Sequence, residues 1–207
     1  MQILYQDKHM LVVNKPSNLL SQPGSLDDSV VHRLEKKFPF IGQVHRLDRL
    51  TSGIMVFGLT KKAQSKLSIQ FQDRKTFKVY EAIVFGSLPN SKGHIDLPLR
   101  CDWPNRPIQE VHEEGRQSLT HWEFVESFQD TDKQHTYSRV LLIPHTGRSH
   151  QLRVHMSAIG FPIIGDFFYA HKTALDAADR LNLHARSLHL NHPVTGNRMH
   201  FESKAPF

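Results

Sequence analysis

Asp48 stands between Arg46 and Arg49 in the run HRLDRLTSGIMVFGLT, residues 45–60. A carboxylate flanked by cations, in a polar stretch ahead of an apolar one, stays ionised and is available as a nucleophile. The same arrangement also describes a structural ion pair, and spacing alone leaves both readings open. Thr51-Ser52-Gly53 adds two hydroxyls and a flexible backbone, the composition of a turn. The chain has 15 histidines, but they are scattered. Neither the pair His150 and His155 nor the trio His184, His189 and His192 has a recognised ligand spacing, and the trio does not share one face of a strand. The sequence contains no phosphate-binding loop, dinucleotide fingerprint, nucleophile elbow or H-E-x-x-H pair.

Charge and composition narrow the class of protein that carries this segment. Of 207 residues 39% are hydrophobic, including 13 Phe, so a core can form and a mainly disordered chain is excluded. The length fits one domain, at most a domain with two lobes. A single Cys excludes a disulfide framework and any multi-thiolate zinc or iron–sulfur site. No apolar run approaches a membrane span of ~18 residues, and Met1–Asp7 lacks a signal-peptide layout. These features predict a cytoplasmic protein with no membrane partner. The net charge of +6 is unevenly placed: residues 1–80 hold 13 basic and 6 acidic side chains, the remainder 13 and 14. Such an asymmetry suits a polyanionic partner, nucleic acid first, although solvated helix faces produce it too.

The elements that must position Asp48 follow from periodicity. Ile3–Tyr5 and Met10–Asn14 read as strands. Residues 29–38 form a helix with Val30, Leu34 and Phe38 on one face, and Ile54–Leu59 is a buried strand. Residues 61–74 make a helix with a basic side of Lys61, Lys62, Lys66 and Arg74. Residues 76–85 alternate, with Phe77, Val79, Ile83 and Phe85 opposite Tyr80, Ala82 and Val84. Strands follow near 93–97, 119–127 and 136–143. Ser149 then caps a helix to about Ile159, with Leu152, Met156 and Ile159 buried and Arg153 at its flank. A short helix near 173–181 and strands at 183–190 and 198–203 complete the chain. Strands often succeed one another directly, which predicts an α+β fold with a largely antiparallel sheet.

Four segments together resemble the RluA family of pseudouridine synthases. HRLDRLTSG (45–53) is similar to its H-R-L-D-x-x-T-S-G signature, KVYEAIV (78–84) to its K-x-Y-x-A-x-V strand, and TGRSHQLRVHM (146–156) to its T-G-R-x-H-Q-[LI]-R-x-H segment. ILYQDKHMLVVNKPSNLLSQPG (3–24) resembles the usual start of the catalytic domain. LRCDWPNRPIQEV (99–111) is also similar to the corresponding stretch of one family branch. The resemblance implies a mixed, mostly antiparallel central sheet flanked by helices, with the active-site cleft across it. It further implies one catalytic domain over 1–207, without a separate N-terminal RNA-binding domain.

The implied chemistry breaks the N1–C1′ bond of a uridine, turns the uracil and rejoins it through C5. Nothing is oxidised or hydrolysed, so no cofactor and no metal is expected. By resemblance Asp48 is the catalytic carboxylate, Tyr80 lies at the active site and Arg153 lies beside the carboxylate. Attack at C1′, addition at C6 and assisted glycal formation all remain open for Asp48. Arg46 is implied to enter the RNA where the uridine flips out, with His45, Leu47, Arg49, Thr51, Lys78 and Arg148 as further RNA-binding candidates. Lys61, Lys62, Lys66 and Arg74 are phosphate-contact candidates from charge alone. The implied partner is 23S rRNA, the tRNA anticodon stem-loop, or both, met by a monomer. An N-glycosidase releasing uracil and an inert RNA-binding module are the competing readings.

Overall fold

Continuous apolar runs in Met10–Lys15 and Ser52–Gly58 place two strands at the centre of the first of two compact units. The computed structural model describes residues 1–24, 28–132 and 134–207. The chain begins with β1 (Gln2–Gln6), β2 (Met10–Lys15), α1 (Val30–Glu35), β3 (Gly42–Gln43), β4 (Ser52–Gly58) and α2 (Lys61–Gln72). It continues through β5 (Phe77–Phe85), β6 (Lys92–Asp96), β7 (Leu99–Cys101), β8 (Gln109–Val111), β9 (Leu119–Gln129) and β10 (Thr136–Pro144). Then come α3 (Gln151–Ala158), α4 (Lys172–Asp176), β11 (Leu183–Asn191) and β12 (Arg198–Glu202).

The first unit comprises Met1–Lys78 and His184–Pro206. Its sheet runs β1-β2-β4-β11-β12, with β3 on the far end of β4. Neighbours are antiparallel except β4 and β11, which run parallel with Ser52 opposite His184 and Gly53 opposite Ala185. Met10, Val12, Ile54 and Val56 form one face with Leu188, Leu190 and Phe201, closed by Leu67 of α2. Leu11, Val13, Met55 and Phe57, on the opposite face of the same strands, are equally buried. Burial on both faces explains why β4 reads as a continuous apolar run.

The second unit comprises Val79–Leu183 with Phe207. Its strands run β5-β10-β9-β6, all antiparallel, beside a separate β7–β8 hairpin. Ile83, Tyr137 and Ile164 form a core against Phe85, Ala177 and Ala178. Both units bear out the α+β class and its mostly antiparallel pairing.

Helix ends differ from the sequence reading, for local reasons. The first helix stops at Glu35, leaving Phe38 outside it, because Pro39 disfavours helical geometry at the residue before it. α2 stops at Gln72, and Arg74 has left-handed backbone geometry at φ 56°. The cap of α3 is His150, at φ 53°, rather than Ser149. The Gln151 carboxamide does the anchoring: it accepts from the Arg148 N–H and the Thr146 hydroxyl and donates to Leu119 O and Thr120 Oγ1. Gln151 through Met156 are all buried, so Arg153 lies in the interior and not at a flank. α4 is shorter than expected, and β3 and the β7–β8 hairpin are additions that periodicity did not reveal.

Gly53 sits at φ 119° with the Ala185 backbone against the position a Cβ would take. Gly53→Ala combines backbone strain with a clash that no side-chain rotation relieves. We expect a loss of about 3 kcal/mol or more, measured by urea denaturation as a lower midpoint at an unchanged slope.

Candidate active site

The loop carrying Asp48 is held by side chains from β2 and the turn that follows it. Lys15, at the end of β2, is fully buried, and its ammonium donates to the carbonyls of Pro16 (3.0 Å), Leu19 (2.8 Å) and Arg49 (3.0 Å). Ser17 donates to Leu50 O at 2.6 Å. Ser21 donates to Leu47 O at 2.6 Å and accepts the Leu47 N–H at 3.0 Å. The Thr51 N–H closes a turn onto Asp48 O. Backbone groups on both sides of Asp48 are thus fixed, and its half-buried side chain is presented from a constrained turn.

His45, half-buried, opens this loop. Its Nε2 accepts the Val56 N–H at 3.0 Å, and its ring stacks on Phe71 with centroids 4.5 Å apart. Desolvation, with the Lys78 ammonium as a lesser cause, lowers its pKa from 6.5 to about 3. A neutral ring that accepts at Nε2 carries its proton on Nδ1. Among the other candidates, Leu47 and Thr51 are buried, whereas Arg46 and Arg49 are exposed. Lys61, Lys62, Lys66 and Arg74 are exposed too. Lys78 is half-buried, and desolvation followed by Arg74 lowers its pKa.

The second unit holds the other two expected catalytic residues. Tyr80 is half-buried on β5, opposite Leu142 of β10. Arg153 is 2% exposed and meets Asp166 in a bidentate pair, Nε to Oδ2 at 2.7 Å and Nη2 to Oδ1 at 2.6 Å. Asp166 Oδ1 also accepts from the Phe168 and Tyr169 N–H groups. The Arg153 guanidinium lies over the Phe168 and Tyr169 rings, at 5.4 and 5.0 Å. Asp166 escaped the sequence reading, yet it is the one charge in the apolar run FPIIGDFFYA, where an ionised carboxylate requires a partner. Half-buried Arg148 donates to Gln117 O.

The histidines that suggested metal chemistry have separate attachments. His155 bonds Thr120 and Leu97 O, His184 bonds Ser52 and Ser203 O, and His192 bonds Asp7. Among the described residues no group of three or more His, Cys, Asp or Glu is placed to hold a metal ion.

Folding stability should register His45 directly. Its folded pKa is depressed, so the unfolded chain takes up a proton first as pH falls below 6.5, and stability drops from there toward pH 3. His45→Gln keeps an acceptor for the Val56 N–H without titrating. Urea titrations should show a wild-type slope steeper than the variant's by about 1.4 kcal/mol per pH unit between roughly pH 6 and 4.

Residues 9–158 match the RNA pseudouridylate synthase family. The chain is 51% identical to the dual-specificity RNA pseudouridine synthase RluA of Yersinia pestis, over 99% of both chains. Identity to the protein of the same name from Escherichia coli (strain K12) is also 51%, over 99% of this chain and 93% of that one. The solved structure of human RNA pseudouridylate synthase domain containing 1 superposes with a TM-score of 0.87 at 30% identity, covering 100% of this chain and 84% of that one.

Proposed function

The chain belongs to the RNA pseudouridylate synthase family, and from that premise we propose that Asp48 is the carboxylate with which it isomerises uridine. The enzyme is an isomerase acting on RNA. The observation that supports the assignment is the clamp formed by Lys15, Ser17 and Ser21, which fixes the backbone on both sides of Asp48. Such restraint suits a group that must meet one atom of an extruded nucleotide.

The reaction moves atoms within one nucleotide. The N1–C1′ bond breaks, C5 bonds to C1′, the C5 proton leaves and N1 gains a proton. Redox equivalents and water are not consumed, so the chemistry requires of the protein only an ionised carboxylate, a dry site and control of the base. In the proposal Tyr80 offers the uracil an aromatic face and a hydroxyl. Arg153 contributes a permanent cation whose direction Asp166 fixes. Exposed Arg46 fits insertion into the RNA stack, while the buried Leu47 and Thr51 serve the loop itself.

The proposed substrates are uridines of 23S rRNA and of the tRNA anticodon stem-loop, in keeping with relatives named dual-specificity synthases. The proposal includes a monomeric enzyme of the cytoplasm, for which one cysteine in 207 residues is a fitting content. No described helix is long and apolar enough to cross a membrane. RNA-backbone contact is proposed for the exposed basic face of α2.

Two experiments test these assignments. Asp48→Asn should fold and bind RNA as wild type does, yet form pseudouridine at less than about a thousandth of the wild-type single-turnover rate. Chemical mapping of pseudouridine in total RNA provides the readout, and a rate within tenfold of wild type removes Asp48 from the role. Replacing Lys61, Lys62 and Lys66 together by Ala should weaken all RNAs alike. The slope of log K against log salt should flatten by about 0.7 for each phosphate that is no longer neutralised.

A further inference from the structure

The β7–β8 hairpin carries a tryptophan that the fold does not use. Trp103 at its tip is 67% exposed, and the Arg106 guanidinium lies over one indole face, 4.7 Å from the centroid. Arg106 also donates to Trp103 O at 3.3 Å. The loop beneath is ordered. The Asn105 N–H and carboxamide bond to Asp102, the Asp102 N–H to Ile108 O, and the Ile108 N–H to Asn105 O. An exposed indole held in a set position by a stacked cation presents its other face to solvent.

This hairpin is joined to the segment that orients Arg153. The Tyr169 hydroxyl accepts the Gln109 N–H at 2.9 Å and meets His150 Nδ1 at 2.6 Å. Tyr169 follows Asp166 by three residues, and its ring lies against the Arg153 guanidinium. Between them Phe167 is 70% exposed. Single exposed apolar residues are ordinary on protein surfaces. Here two large aromatics lie on segments joined by one hydroxyl, and one of them already carries a cationic partner.

We propose that Trp103, backed by Arg106, stacks on an unpaired base of the substrate RNA outside the target uridine, with Phe167 extending the same platform. The inference rests on the synthase reading and adds a base-reading surface to it. Every base has a π-face, and guanidinium-backed aromatic rings bind bases without needing a particular hydrogen-bond edge. The other cation of the hairpin, Arg100, is already paired with Glu110 and Glu114. Recognition here therefore depends on stacking, and it selects single-stranded loops over paired helices.

The test compares an RNA hairpin with a uridine-containing loop against a fully paired RNA duplex of equal length. Trp103→Ala should weaken binding of the hairpin by about tenfold or more and leave the duplex unchanged. The loss should persist at high salt, unlike that of the α2 lysine variant. Trp103→Phe should recover affinity to within about threefold of wild type. Hairpin RNA should quench tryptophan fluorescence in wild type and not in Trp103→Phe, and Phe167→Ala should give a smaller loss of hairpin affinity. Wild-type hairpin affinity in Trp103→Ala, or an equal loss for hairpin and duplex, overturns the proposal. A shift from dimer to monomer on sedimentation of Trp103→Ala also overturns it, because the indole then covers a second copy of the chain. Wild-type pseudouridine formation in total RNA tests the synthase reading separately, so the two can fail independently.

Discussion

The Lys15 ammonium sits out of water and donates to carbonyl oxygens of the turn that follows β2 and of the Asp48 loop. Burying an unpaired ammonium is expensive, so the chain must bring carbonyls to it, and Arg49 O is one of them. The loop's path follows from that demand. Ser17 and Ser21 add hydrogen bonds to Leu50 and Leu47, so both flanks of Asp48 are set by the turn that follows β2. A carboxylate on a free loop would sample many directions, and this one is restricted before any RNA arrives.

The second unit solves a similar problem with opposite charges. Arg153 and Asp166 are both buried and meet in a bidentate pair, so neither ion is left without compensation. Removing either partner typically costs about 3–5 kcal/mol, which ties the orientation of the guanidinium to the stability of the unit. The Asp166 carboxylate also bonds the backbone of Phe168 and Tyr169, whose rings lie beside Arg153. Positioning of the cation and shaping of the neighbouring aromatic segment therefore come from the same carboxylate.

In the proposed reading the two units divide RNA contact by physical type. Exposed lysines on α2 offer long-range attraction that salt screens and that carries little sequence information. Trp103 and Phe167 offer short-range contact that depends on an unpaired base. His45, which adjoins the catalytic segment in sequence, belongs to neither group. Its ring is held neutral inside the fold by the Val56 N–H and Phe71, so its place is in the architecture of the loop.

Much of the architecture was legible in the amino-acid order because its causes are local. The β-type run in residues 10–14, the apolar run after Gly53, four-residue spacing in α1 and the basic side of α2 reported real elements. The segments around Asp48, Tyr80 and Arg153 pointed to the family for the same reason, being short and contiguous. Partnerships between distant residues were not legible. Lys15 and Arg49 are 34 residues apart, and Arg153 and Asp166 are 13 apart. Periodicity placed Arg153 at the flank of a helix because it assumes one solvated side, and Gln151–Met156 of α3 are buried all round. Likewise the lone charge of Asp166 in an apolar run signals that it needs a partner but not which one. Pairing of buried ions is decided by which side chains the packed chain encloses together, and that enclosure exists only once the strands and helices have assembled.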